Sequence, residues 1–137
     1  MSRANILVVD DEEVVRSACA RVLGSAGYNV ICCGDIPEVY MALQSRREDL
    51  YAALVDLSLT PHDNEQVISY FHDRKSLPDR MDGVGLVGML RVERPKLNII
   101  VMSGAKPPQE LGNYRYLAKP FTVDSLGEVE VKNVMIY

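Results

Sequence analysis

Short apolar runs alternate with amphipathic segments along most of the chain. Five runs have the length and composition of strands buried within a sheet, at positions 6–9, 29–33, 52–56, 97–102 and 116–118. Between the first two of these runs, apolar residues recur every three or four positions, which is the spacing of one helix face. Because strands that alternate with helices form parallel sheets, the pattern predicts an α/β protein with a doubly wound, five-stranded parallel sheet.

Boundary residues indicate two helices in the first third of the chain. Glu12 and the acid after it begin a helical stretch that runs to about Ala26, and Gly27 follows as a stop signal. Asp35 is suited to cap a second helix, with Pro37 in its first turn. Each helix is predicted to pack an apolar face against the sheet.

A glycine run at 83–88 matches the pattern G-x-G-x-x-G of dinucleotide-binding sites. Such a site requires a strand of the sheet directly before the glycines, whereas a polar segment with Pro78 precedes them here. The run is therefore interpreted as the beginning of a thin helix that lies close to the sheet.

The region before the last predicted strand is unusually short. Only 16 positions separate Ser103 from Lys119, too few for a normal helix of about 11 residues with its connections. Two prolines leave room for roughly one turn at 108–111. Gly127 and several β-branched residues disfavour a final helix at 123–137. The sequence thus predicts a shortened fourth helix.

Composition is that of a single globular domain. The 137 residues are predicted to form one domain, 1–137, and 47% of them are hydrophobic, which is enough for a core. The formal net charge of −4 and the lack of a basic stripe argue against direct nucleic-acid binding. No apolar run approaches the roughly 18 residues of a membrane span, so no membrane association is predicted.

The cysteines match no zinc or redox motif. Cys19, Cys32 and Cys33 lie in apolar contexts and are all predicted to be buried hydrophobic residues, the adjacent two on opposite faces of a strand. Free thiols favour a reducing compartment. Since the first strand begins a few residues after Met1 and leaves no room for a signal peptide, a cytoplasmic location is expected.

Charged and polar residues directly follow four of the predicted strands. They are Asp10, Asp11, Asp56, Ser103 and Lys119. Ligands of parallel α/β sheets bind outside the carboxyl ends of the strands, so these side chains are expected to gather at one edge. Crowded carboxylates repel each other unless a cation lies among them, and Mg²⁺ prefers oxygen ligands. The arrangement indicates a metal-assisted phosphoryl transfer onto a carboxylate.

Each of these residues also has an ordinary interpretation when it is considered alone. Asp10 and Asp11 are suited to cap the first helix, and Asp56 to end a strand in a turn. Ser103 before a glycine fits a common turn, and Lys119 is by default a surface residue. Their joint placement after four separate strands favours one common site.

Five motifs, in family order, make the chain resemble the receiver domain of two-component response regulators. The motifs are ILVVDDEE at 6–13, VDLSLTP at 55–61, MDG at 81–83, VMSG at 101–104 and YLAKPF at 116–121. Each motif is weak alone, whereas the combination is highly specific. The resemblance implies a CheY-like fold with the flavodoxin-like order 2-1-3-4-5 for the five predicted strands.

The resemblance also implies a metal site and a phosphoacceptor. Asp56 would be the residue that accepts the phosphoryl group. Asp11 would bind Mg²⁺ directly, and Asp10 would help to hold the ion through water. Asp56 itself and the backbone carbonyl of Ser58 would complete the metal ligands.

Further residues match the family positions that stabilise the phosphoryl group and change conformation after phosphorylation. Ser103 would be the switch hydroxyl that moves toward the phosphoryl group, and Lys119 would pair with that group. Tyr116 would be the aromatic residue whose rotamer reports the switch. Pro120 would follow the cis peptide bond of the family.

The chain departs from the family pattern in two of the segments between these motifs. An insertion is predicted at 62–80, between the third strand and the third helix, where a lid, a docking surface and an inert loop are all open interpretations. The family generally signals and dimerises through the face formed by its fourth helix, fifth strand and last helix. Because the fourth helix is shortened, a different output surface is predicted, with the insertion as a candidate.

The leading functional prediction is phosphorelay signal transduction. The chain would receive a phosphoryl group on Asp56 from a sensor histidine kinase or a phosphotransfer protein, with Mg²⁺, and would switch conformation toward an unknown downstream protein. It would assist its own phosphorylation and slow dephosphorylation without being an enzyme. The alternatives are a receiver-like interaction module that does not use phosphorylation and an aspartyl-phosphate phosphohydrolase.

Overall fold

The computed structural model describes residues 4–45, 50–63, 65 and 80–119, and these residues form an α/β fold. In chain order the elements are β1 (Asn5–Val9), α1 (Glu13–Ser25), β2 (Asn29–Cys33), α2 (Ile36–Ser45), β3 (Leu50–Asp56), β4 (His62–Asp63), β5 (Arg80–Met81), α3 (Gly83–Glu93), β6 (Asn98–Ser103), a 3₁₀ helix (Gln109–Leu111) and β7 (Arg115–Ala118).

A five-stranded sheet forms the centre of the molecule. Its strand order is β2-β1-β3-β6-β7, and every neighbouring pair is parallel. This is the predicted order 2-1-3-4-5, because the two-residue strands β4 and β5 form a separate ladder outside the sheet. The predicted doubly wound parallel sheet is confirmed.

Alternate residues of the central strands fill two core clusters, one on each face of the sheet. In β1, Leu7 and Val9 pack with apolar residues of α2 and α3. Ile6 and Val8 point the other way and pack with α1 residues such as Leu23. Because helices cover both faces, every residue of β1 is buried, as a continuous apolar run predicts.

The first two helices begin and end where the sequence signals lie. α1 begins directly after Glu12, and Gly27 shortly beyond its end has a φ of 100°, the left-handed conformation that glycine adopts most readily. The side chain of Asp35 accepts a hydrogen bond from the Glu38 backbone N–H at 2.9 Å, which caps the entry to α2.

The glycine run begins α3, as predicted. Asp82 caps this helix by accepting a hydrogen bond from the Gly85 backbone N–H at 2.8 Å. The strand before the glycines, β5, belongs to the short antiparallel ladder and not to the parallel sheet, so the arrangement that a dinucleotide site requires is not formed by these residues.

The short ladder lies where the insertion is predicted to begin and end. His62 pairs with Met81, so the chain returns after the excursion to the place where it left. Residue 64 and residues 66–79, most of the predicted insertion, lie outside the described residues, and so do residues 120–137. The domain boundaries, the insertion at 62–80 and the interpretation of 123–137 stay predictions.

The connection between β6 and β7 is short. Its helical content is the single three-residue 3₁₀ turn at Gln109–Leu111, and Leu111 anchors this turn in the core. The predicted shortening of the fourth helix is confirmed.

One prediction about the cysteines is wrong. Cys19 and Cys33 are buried, but Cys32 is exposed. β2 is an edge strand, so one of its faces is only partly covered, and the alternation that buries Cys33 turns Cys32 outward.

Candidate functional site

Four strand ends meet at the carboxyl edge of the sheet. Asp10 directly follows β1, Asp56 ends β3, Ser103 ends β6 and Lys119 directly follows β7. Parallel pairing aligns these ends, since Val9 is in register with Val55 and Ser103 with Ala118. The predicted gathering of these residues at one edge therefore occurs in the fold.

Three carboxylates form the acidic part of this edge. Oxygen atoms of Asp10, Asp11 and Asp56 all lie within 4.8 Å of one another. Asp10 and Asp56 are completely buried, whereas Asp11 is exposed. A ligand at this cluster would thus contact two carboxylates fixed in the protein interior and one that faces solvent.

One ammonium group faces the buried carboxylates. Lys119 Nζ lies 2.5 Å from Asp10 Oδ2 and 3.3 Å from Asp56 Oδ2. It also lies 3.7 Å from an oxygen of Glu12, an acid that the sequence analysis assigned only to the start of α1. The described residues of the site therefore include four acids and one base, and three of the acids lie within 3.7 Å of the ammonium.

This imbalance affects the ionisation of the buried groups. Burial raises the pKa of Asp10 above its usual 3.8, against the hydrogen bonds from Lys119 and the Glu12 backbone that lower it. Burial lowers the pKa of Lys119, but the carboxylates of Asp10 and Asp56 raise it by more, so the pKa lies above the usual 10.5. Lys119 is charged at neutral pH, and the cluster keeps an excess of negative charge.

Local turns orient the two buried carboxylates. Asp56 Oδ1 accepts hydrogen bonds from the Ser58 backbone N–H at 3.0 Å and from the Ser58 hydroxyl at 2.8 Å. Asp10 Oδ1 accepts one from the Glu12 backbone N–H at 2.9 Å. In both turns the aspartate accepts from the backbone N–H two residues further on, which is a local preference of this side chain. The Asp-x-Ser spacing could have indicated the role of the Ser58 hydroxyl, which the sequence analysis missed.

A second hydroxyl reaches the exposed carboxylate. Thr60 Oγ1 donates a hydrogen bond to Asp11 Oδ2 at 3.3 Å and so connects the loop after β3 to the loop after β1. Because the two residues are 49 positions apart in sequence, no local pattern could have indicated this contact.

The two predicted switch residues contact each other at the β6–β7 side of the site. The Tyr116 hydroxyl donates to the backbone carbonyls of Ser103 at 3.3 Å and Ala105 at 3.2 Å, and 40% of the Tyr116 surface is exposed. Ser103 Oγ accepts a hydrogen bond from the Ala105 backbone N–H at 3.1 Å, and the Ser103 carbonyl accepts from the Lys119 backbone N–H at 2.8 Å.

Gly83 lies directly against the strand end that carries Asp56. A Cβ atom at Gly83 would lie 2.4 Å from the Asp56 carbonyl oxygen and 2.7 Å from the Leu57 Cα. Both are backbone atoms, so they could not move aside without moving Asp56. The first residue of α3 therefore fixes how closely the helix approaches the site.

An open groove of about 490 Å³ lies beside the carboxylates. Ser58, Gly104 and Lys119 line it together with residues of α1 such as Val14, which is 79% exposed. The groove gives a reactant access to this edge of the sheet.

The residues of the cluster fit a hard divalent cation. Mg²⁺ takes oxygen ligands from one or two carboxylates and keeps several waters, and here buried and exposed carboxylates converge within 4.8 Å. The negative charge that Lys119 leaves unbalanced gives such a cation a favourable place.

This fold, with an acidic cluster and a lysine at the carboxyl edge of its sheet, is that of a response-regulator receiver domain. Among solved structures, the receiver domain of NtrX from Brucella abortus superposes with a TM-score of 0.70 at 22% identity, over 96% of this chain and 99% of that one. At this identity the likeness shows the fold.

Curated relatives agree with the structural likeness. The chain is 26% identical over 132 residues to an NtrX-like response regulator of Rickettsia bellii, covering 92% of this chain and 24% of that protein. It is 28% identical over 135 residues to the DNA-binding transcriptional regulator NtrC of Azospirillum brasilense, covering 94% of this chain and 24% of that one. The chain thus spans about a quarter of these relatives.

The resemblance to response-regulator receiver domains is therefore confirmed in both sequence and fold, and it supports a role in phosphorelay signalling in general. No protein-family model matches the chain. None of the helices in its described residues is long and apolar enough to cross a membrane.

Proposed function

We propose that the chain is a Mg²⁺-dependent phosphoacceptor that receives a phosphoryl group on Asp56. The observation that carries this proposal is the convergence of Asp10, Asp11 and Asp56 within 4.8 Å, with Lys119 Nζ 3.3 Å from Asp56 Oδ2. A carboxylate in this setting is a competent nucleophile toward phosphorus, because phosphoryl transfer depends mainly on positioning and on stabilising charge.

The proposed roles of the residues follow from their contacts. Ser58 holds the Asp56 carboxylate in one orientation through two hydrogen bonds to Oδ1. Lys119 presents a positive charge at Asp56 Oδ2, where an added phosphoryl group would bring further negative charge. Asp10 and Asp11 would hold Mg²⁺, with the Ser58 carbonyl. The bound ion would offset the repulsion between the carboxylates and the incoming group.

The Ser103 and Tyr116 pair would convert phosphorylation into a change of shape. A movement of the Ser103 hydroxyl toward a phosphoryl group would break the hydrogen bond that its oxygen accepts from the Ala105 backbone N–H. The Tyr116 hydroxyl is bonded to the carbonyls of Ser103 and Ala105, so a rearrangement of this loop would free it. The partners proposed are a sensor histidine kinase or phosphotransfer protein and an unknown downstream protein, in the cytoplasm.

Mass measurement tests the proposal. Incubation with a small phosphodonor and Mg²⁺ is expected to add one phosphoryl group to the intact chain and none in the presence of a chelator. Asp56→Asn is expected to abolish the addition. Asp35→Asn is the matched control, because an asparagine caps α2 as well as an aspartate does.

Three other outcomes would contradict the proposal. Modification that survives Asp56→Asn would place the acceptor elsewhere. No modification of a folded wild-type chain would favour an interaction module that does not use phosphate, an alternative supported by the reduction of the fourth helix to a three-residue turn. Sustained turnover of phosphate esters would instead indicate a phosphohydrolase.

A further inference from the structure

A second concave site lies at the opposite edge of the sheet from the carboxylates. This pocket of about 410 Å³ is formed by the end of α3, the beginnings of β6 and β7, and the loop before β7. The strand β6 runs from the pocket at Asn98 to the acceptor edge at Ser103, which separates the two sites by about 16 Å at the rise of a strand.

Three cationic side chains line the pocket, namely Arg91, Lys96 and Arg115. No carboxylate is among the lining residues in the described part of the chain. The salt bridges formed by the described residues all involve Lys119, so none of these three cations is paired with a described acid. Such a cluster is unexpected in a chain with 19 acids and 15 bases.

Arg91 is held in place by neighbouring residues of the pocket. Its guanidinium donates to the Pro95 carbonyl at 2.6 Å and to the Tyr114 hydroxyl at 3.4 Å, and it lies over the Tyr114 ring at 5.4 Å from the centroid. These contacts leave part of the planar group for another acceptor. A guanidinium fixed in advance loses little conformational entropy when it binds an anion.

The short connection between β6 and β7 ends at this pocket. A three-residue turn and the loop at Asn113 and Tyr114 occupy the connection in which a longer helix would otherwise lie. The lining at Asn98 and Asn113 is polar, so an apolar occupant would gain little there. The volume is within the range of small-molecule sites.

We propose that this pocket binds a small soluble molecule that carries two phosphate groups. Three cations can each contact a different part of such a ligand. Arg115 can bind two oxygens of one phosphate, and Arg91 can donate from the N–H groups that Pro95 and Tyr114 leave free. The inference does not depend on phosphorylation of Asp56, since it rests on residues at the other edge of the sheet.

Binding of inorganic pyrophosphate tests the proposal. Calorimetry in EDTA keeps the Asp10, Asp11 and Asp56 cluster free of divalent ions, so the anion is repelled from that edge. Saturable binding to one site per chain is expected. The exposed variants Lys96→Glu and Arg115→Glu are each expected to weaken it by about tenfold, because each replaces an attraction with a repulsion at short range.

Arg21→Glu is the control with the same change of charge. Arg21 is exposed on α1, outside the pocket, so screening should limit its effect to about twofold at most. Amide chemical shifts of Asn98, Asn113 and Arg115 should report the location of the ligand, and circular dichroism should show that each variant is folded.

Several results would overturn the proposal. Equal weakening by Arg21→Glu and Arg115→Glu would show a general attraction to the surface. Unsaturable binding, or shifts confined to other residues, would exclude a site in this pocket. Sedimentation with vesicles of anionic lipid, without binding of pyrophosphate, would show that the cations contact a membrane headgroup instead of a soluble molecule.

Discussion

The central strands and the edge strand β7 both deliver residues to the site, but they are covered very differently. Every residue of β1 is buried between two layers of helices, whereas only Leu117 of the four residues in β7 is buried. The carboxylates of Asp10 and Asp56 thus extend from the best-covered part of the sheet. Lys119 and Tyr116 extend from a strand with little cover.

This difference separates two requirements of a switch. Carboxylates held close together need a rigid support, because their repulsion would otherwise drive them apart. Residues that change position need a region that opens at low cost, and such regions have few buried contacts. Hydrogen exchange is accordingly expected to be slowest at the amides of β1 and β3 and faster at those of β7.

The largest expected effect comes from truncating matched leucines in the two regions. Leu54 on β3 and Leu117 on β7 belong to the same core cluster. Leu54→Ala is expected to lower the free energy of unfolding by about 4 kcal/mol and Leu117→Ala by about 2 kcal/mol, because an edge strand relaxes around a cavity more easily. Urea unfolding measures both, and equal losses would contradict the distinction.

The next effect tests the close approach behind the acceptor. Gly83→Ala is expected to cost about 2–3 kcal/mol, since the new Cβ would meet backbone atoms at Asp56 and Leu57 that cannot rotate away. Gly88 lies in the same helix, and a Cβ atom there would have open space around it to 4 Å. Gly88→Ala should therefore stabilise the chain by about 1 kcal/mol.

The two glycine variants also have a functional readout. Gly83→Ala is expected to weaken Mg²⁺ binding as well as stability, because Asp56 would move with its backbone. Gly88→Ala should leave Mg²⁺ affinity unchanged. Destabilisation by Gly83→Ala with unaltered metal affinity would show that the close approach supports the fold alone.

A smaller effect on the free energy of unfolding, in this case a stabilisation, is expected from a substitution in the acidic cluster. Burial raises the pKa of Asp10, so the folded state holds that proton more tightly than the unfolded state. The stability linked to this proton is present below pH 3.8 and is lost as the pH rises through the folded-state pKa. At neutral pH and without Mg²⁺, Asp10→Asn should therefore stabilise the chain by about 1 kcal/mol.

Control measurements define what the Asp10 variant means. The greater stability of Asp10→Asn over the wild type should disappear below pH 3.8, where both chains carry a neutral side chain at this position. Added Mg²⁺ should stabilise the wild type more than the variant, because binding to the folded state alone shifts the equilibrium. A destabilised Asp10→Asn would mean that the ion pair with Lys119 outweighs burial and repulsion.

Features that depend on residues close together in sequence could be predicted, whereas contacts between distant segments could not. The continuous apolar run of β1 and the strand-end positions of Asp56 and Lys119 were sufficient for the sheet and for the grouping of the site. The Thr60 contact to Asp11 depends on two loops meeting, which no local pattern encodes. Likewise, the close approach at Gly83 depends on how α3 docks, although the glycine run indicated a thin helix.

The smallest effect concerns the other edge strand, β2. Its two faces differ in burial, as the central strands differ from β7. Burial, together with the nearby acids Glu38 and Asp35, raises the pKa of Cys33 to about 12. Burial also raises the pKa of Cys32, against the charge of Arg16 that lowers it, but Cys32 is exposed and a reagent can reach it. Thiolates are the reactive form, so a soluble disulfide reagent at about pH 8 should modify Cys32 in the folded chain and Cys33 only after unfolding. Cys32→Ser should remove the fast reaction without measurable loss of stability, since Cys32 is exposed and a serine hydroxyl can also donate to the Arg16 carbonyl, which lies 3.7 Å from Cys32 Sγ. Two thiols that react at one rate in the folded state would mean that β2 separates from β1 often enough to expose both its faces, and an edge strand would then be a weaker support than its burial indicates.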